Sequence, residues 1–293
     1  MGQPKQTSLK ERIQNTSPFS GIAVPLLIVA LAVLIIVGVT KMLSNDKSYV
    51  SLVEELRDKT FGNRWVAAFE LSKYLASSQI PKEDYPWLEE QLIDLYKRNE
   101  NDPRTRHFLV LAAGHIQGER SIELMHQALS DPDREVLFAS LSSLGRLTTV
   151  PSNFNWADVI KLTSSDDEIL VHTALVVLTH HRVTAVIPIL KDKLKYSEAK
   201  NIKDVSAIAL LHFNSYEGFD RLVEILRAPY ITGQDSLKVE ANKLNVIGAA
   251  SAVVKTFGML QPNLVVILQE VAKADQNVQV SLRAKELLLT LKK

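Results

Sequence analysis

The segment Asp131-Pro-Asp-Arg-Glu-Val-Leu-Phe-Ala-Ser-Leu-Ser-Ser-Leu-Gly145 constrains the fold more than any other stretch of the chain. Asp-Pro-Asp supplies a turn and then an N-cap, and apolar residues follow at helical spacing as far as Gly145. With Val136 as position zero, the anchors fall at positions 0, 3, 5 and 8, with glycine at 9. The same frame recurs with zero at Asn63, Thr105, Leu170 and Ile202. Between these helices lie amphipathic segments near 50–56, 87–96, 122–129, 156–162, 186–194, 219–226 and 264–271. Two further second helices fit at 243–256 and 278–291, which makes about seven helix–turn–helix units. One such pair cannot bury its apolar face alone, whereas stacked pairs share a continuous core.

These residues resemble HEAT repeats. The pattern rests on the 131–145 segment, on Ala185-Val-Ile-Pro-Ile-Leu-Lys-Asp-Lys-Leu194, and on Arg64-Trp-Val-Ala-Ala-Phe-Glu-Leu-Ser72 after an apolar span. It is similar to the bacterial subtype also found in phycobilisome-lyase-like proteins, and it covers nearly everything after residue 48. The resemblance implies an all-α chain: an α-solenoid of about seven HEAT-like helix pairs that binds other proteins. The segment Ala228–Leu237 is expected to lengthen the inter-helix loop of the sixth pair.

Ahead of the repeats, residues 19–40 carry no charge and are largely apolar. At about 1.5 Å per residue this run matches the roughly 30 Å hydrocarbon core of a bilayer. A cleavable signal would have a shorter apolar region and a small-x-small site, and neither fits. The expected organisation is a polar tail at 1–18, a transmembrane helix at 19–41, a linker at 42–48 and the solenoid at 49–293. Lys5, Lys10 and Arg12 on the tail slightly outweigh Lys41 and Lys47 beyond the span. That bias puts the tail inside and the solenoid outside. For a bacterial inner-membrane protein, the solenoid is then periplasmic.

The chain has no cysteine, which excludes disulfides, zinc–thiolate sites and thiol nucleophiles. Residues 44–293 hold 30 Lys and Arg against 32 Asp and Glu, so no basic field marks a nucleic-acid binder. No Walker loop, Gly-x-Ser-x-Gly elbow, His-Glu-x-x-His or Gly-x-Gly-x-x-Gly occurs. Some helical-repeat enzymes related to HEAT proteins bind iron through His-Glu pairs, and this chain has no His-Glu dipeptide. The expectation is therefore no enzyme, no catalytic residue, no metal and no cofactor. The alternative implied by the resemblance is a cofactor- or chromophore-handling lyase-like protein.

At about 100° per residue, position two of each second helix lies opposite the buried stripe. Its occupants are Trp65, His107, Phe138, His172 and Asp204, flanked at position six by Phe69, Leu111, Ser142, Val176 and Ile208. Trp65, Phe69, His107, Phe138, His172 and Asp204 are the expected lining of a concave groove for a protein or peptide partner. Position six has a plainer use, sealing one repeat against the next. His115, His180 and His212 share position ten, which stacks His180 near His212 but brings no carboxylate into the row.

Overall fold

A computed structural model of the chain describes residues 48–58 and 62–291, apart from the side chain of Gln234. The expected membrane span at 19–41 and the tail before it lie outside the described residues. Among the described residues no helix is long and apolar enough to cross a membrane. The chain divides into two units, Met1–Ser51 and Leu52–Lys293, and the account below concerns the second.

The turn and cap read at Asp131-Pro-Asp133 open one of a run of helices. The helices are α1 (Tyr49–Arg57), α2 (Arg64–Ala76), α3 (Tyr85–Arg98), α4 (Pro103–Ile116), α5 (Glu119–Ala128), α6 (Arg134–Leu144) and α7 (Ala157–Leu162). They continue as α8 (Glu168–His180), α9 (Ile187–Tyr196), α10 (Lys200–His212), α11 (Phe219–Leu226), α12 (Gln234–Phe257), α13 (Pro262–Ala274) and α14 (Val278–Thr290). Asp133 caps α6 by accepting from the Glu135 and Val136 amides at 2.9 and 3.2 Å. Asp102, Asp167 and Asn277 do the same for α4, α8 and α14. A second acceptor two residues earlier tightens three of these turns: Asp131 takes the Asp133 amide, Ser165 that of Asp167, and Asp275 that of Asn277. Such caps satisfy helix N–H groups that have no intrahelical partner.

Even-numbered helices pack in one row, α2 on α4, α4 on α6, and so on to α14; each of α4 to α14 also packs on the odd-numbered helix before it. The described unit is thus a two-layer stack of helix pairs, an α-solenoid. Positions five and eight carry the core: Val110, Leu141, Leu175, Leu71, Leu144 and Leu178 are wholly buried. Positions four and seven are small where helices touch, with Ser140, Ser143, Ala112 and Ala174 fully buried. Gly114 shows why, since a Cβ there would stand 2.5 Å from Ser143 Oγ on the next even-numbered helix. Position three is less regular than the frame implies, because Val66 is exposed.

One segment differs from its expectation. The lengthened loop runs only to Gly233, and residues 234–237 open the 24-residue helix α12. Gly233, at φ 98°, takes a backbone conformation that other residues adopt only with strain, so the chain turns there rather than after Leu237.

Candidate partner-binding face

The position-two side chains sit along the row of even-numbered helices, and the repeat stagger gives each a different setting. Trp65 is half-buried and stacks on Phe108 of the next repeat, with ring centroids 6.4 Å apart. Phe69 meets the same ring edge-on at 5.2 Å and is 39% exposed. Phe108 therefore gathers Trp65 and Phe69 into one aromatic cluster joining α2 to α4. His107, half-buried, directs Nδ1 to the Glu135 carbonyl oxygen at 3.0 Å and ties α4 to the start of α6. Phe138 is half-buried on α6.

His172 is half-buried on α8, and its pKa is lowered first by burial and then by the nearby Lys238 ammonium. Asp204 is the exception within the row, only 6% exposed. Its Oδ1 accepts from Arg221 Nε at 2.6 Å and its Oδ2 from Asn242 Nδ2 at 3.2 Å, so it ties α10 to α11 and α12. Position six also divides: Phe69 and Val176 are exposed, while Ile208 is buried. Sealing between repeats accounts for Ile208 and, through Phe108, in part for Phe69, but not for Val176.

The row opens into a hollow of about 640 Å³ between α8, α10 and α12. Its wall carries His172, His180 and His212 around an apolar floor that includes Val176 and Ile208. His212 is shifted down to about 4 by burial, by Arg182 and by His180, so it is neutral at neutral pH. His180 directs Nε2 to the Leu147 carbonyl at 3.1 Å, and His181 directs its own to that of Leu144 at 2.9 Å. Among the described residues no three His, Asp or Glu side chains are placed to hold a metal ion. The lining therefore offers imidazoles, carboxamides, one ammonium and the Arg221-paired carboxylate of Asp204 above apolar carbon. That composition suits recognition of a ligand with an apolar body and a few polar groups.

Lys238, Asn245 and Gly248 also line the hollow, and sequence reasoning did not single them out. The five-membered repeat frame ends at Ile202, and residues 234–237 at the start of α12 carry a loop-like sequence. With zero at Asn242 the frame puts Leu244 at position two and Gly248 at position six.

No family model matches the sequence, and no curated protein matches it. Solved structures give similarities in fold. An archaeal HEAT-like repeats protein from Thermococcus onnurineus NA1 is 17% identical, with a TM-score of 0.44, over 85% of this chain and 98% of the other. An engineered protein is 17% identical, with a TM-score of 0.37, over 83% of this chain and 96% of its own.

Proposed function

We propose that the chain is a membrane-anchored, HEAT-like interaction scaffold, an accessory or assembly factor for a membrane complex rather than an enzyme. The observation that carries the reading is the 640 Å³ hollow in the even-numbered row, with Val176 exposed in its lining. A rigid stack that places large apolar groups on an open face presents a partner surface. Residues 19–41 supply the tether in this reading, and the Lys and Arg bias supports a periplasmic solenoid.

The test is site-specific photocrosslinking in intact membranes. A photoreactive residue at Val176 should trap a discrete partner, and one at Tyr196 on α9, also exposed, should not. No adduct from Val176, or the same adducts from both sites, would remove the partner face.

A further inference from the structure

The hollow is a trough with a direction. Asn201 near the start of α10, Lys238 near the start of α12 and His172 line one end, and His180, His212 and Gly248 line the other. His172 and His180 are eight residues apart, and Asn201 and His212 eleven. At about 1.5 Å per residue, the trough runs roughly 12–16 Å along the helices. Val176, Val205, Ile208 and Leu244 line it between the ends.

A cation stands at each end. Lys238 lines the first end, close enough to His172 to disfavour its protonation. Arg182, just outside the lining, stands beside the second, its guanidinium donating to the carbonyl of His212, which does line it. Asp204 is the only carboxylate in the lining, and Arg221 neutralises it. Asp235 and Glu224 line a smaller adjoining hollow with Lys200 and Arg221; it shares Asn201, Asp204, Lys238 and Asn242 with the trough.

Gly248 adds an independent observation. Mid-helix glycine costs about 1 kcal/mol relative to alanine. At Gly114 a neighbouring helix requires the missing side chain; at Gly248 a Cβ would meet nothing within 4 Å. The bare backbone of α12 thus faces open space inside the trough, where an occupant approaches most closely.

We propose that the trough binds a short apolar peptide segment of a partner protein with a carboxylate at each end, one facing Lys238 and the other Arg182. The apolar side chains lie over Val176 and Ile208, and the peptide backbone presses on Gly248. The assignment rests on the partner-binding reading of the same face and specifies its ligand.

The test uses the full chain in nanodiscs and a labelled pentapeptide of three leucines flanked by glutamates. Extended, its outer residues lie about 13 Å apart, at roughly 3.3 Å per residue. Fluorescence anisotropy should show it binding at least tenfold tighter than the same peptide flanked by lysines. Lys238→Glu should erase or invert that preference. Gly248→Leu should weaken binding at least tenfold without lowering the Tm. Equal binding of the two peptides, an unchanged preference in Lys238→Glu, or unchanged binding in Gly248→Leu would overturn the assignment. So would equal competition by dodecanoate, which would give the trough to a fatty anion instead. Adducts at Val176 without pentapeptide binding would overturn this assignment alone; pentapeptide binding without adducts would overturn the partner reading alone.

Discussion

Arg106 of α4 and Asp131 of the α5–α6 turn form a two-pronged ion pair, Nε to Oδ2 and a terminal guanidinium nitrogen to Oδ1, each 2.8 Å. Their side chains are 6% and 3% exposed. The Tyr96 hydroxyl donates to the same carboxylate at 2.5 Å, and Arg106 also reaches the Asn99 carbonyl at 3.0 Å. A buried pair is weak evidence for net stability, but removing one member strands the other. Asp131→Ala should cost about 3–5 kcal/mol in denaturant unfolding. Arg106→Met combined with Asp131→Leu should recover most of that loss. A double variant no better than Asp131→Ala would show that the turn geometry, and not the stranded charge, sets the cost.

His212 and Asp131 are two of the groups that make the fold sensitive to acid. Burial lowers the His212 pKa to about 4, with Arg182 and His180 adding to the effect. The unfolded chain therefore binds this proton more readily than the folded one. Its stabilisation is fully present above the ordinary histidine value near 6.5 and declines as pH falls towards 4. Burial alone would raise the Asp131 carboxyl, but bonds from Arg106 and Tyr96 prevail and hold it below the usual value. Its share is lost only as pH drops below about 4. Denaturant midpoints from pH 7.5 to 4.5 should decline less in His212→Gln than in the unsubstituted chain; parallel declines would exclude His212 as the cause.

Gly114 and Gly248 should respond to alanine in opposite directions. Gly114→Ala forces a Cβ against Ser143 and should cost about 1–3 kcal/mol by overpacking. Gly248→Ala meets open space and should stabilise by up to about 1 kcal/mol through helix propensity. Thermal melts of the two variants decide the point. A destabilised Gly248→Ala would mean that the trough is filled from within the chain.

Leu144→Ala, at a wholly buried position, should cost about 2–5 kcal/mol. Phe138→Ala, half-buried on α6, should cost clearly less. Trp65→Ala forfeits its stacking on Phe108, worth about 1 kcal/mol beyond area burial. Trp65 and Phe138 variants melting as low as Leu144→Ala would assign both side chains to the core.

Deleting residues 1–44 should leave a soluble, folded, helical domain, since the buried apolar residues among those described begin at Leu52. Circular dichroism and gel filtration read the outcome, and aggregation would make the missing segment part of the fold. A periplasm-active reporter fused after Lys293 should be active; activity only from a cytoplasmic reporter would invert the topology.

The repeating helices were legible because their signals are local. Asp102, Asp133 and Asp167 cap the helices that their positions announce, and the residues at positions five and eight fill the core. The expected face was legible only in outline. Position two points away from a helix's own core, but the next repeat is staggered, and so Trp65 lands on Phe108. Asp204 turns inward because Arg221, on a helix seventeen residues further on, supplies the counter-charge. Neither contact leaves a periodic trace within one repeat. The trough was missed for a related reason: its far wall is α12, whose opening residues carry turn-like Gly233 and Asp235 and read as loop.

The bonds that cross from one helix pair to the next form a series: Arg57 to Gln91, Arg106 to Asp131, Arg134 to Asp167, His181 to the Leu144 carbonyl, Arg182 to the His212 carbonyl, Asn242 to Asp204, and Lys243 to Asp275. Each joins adjoining pairs, so a pull between the two ends of the stack is passed along seam by seam. A small rotation at every seam then adds up to a change in length with no seam broken, which is the behaviour of a spring. A trough lying across two of those seams would widen or narrow as the spring is loaded, making its fit to an occupant responsive to tension.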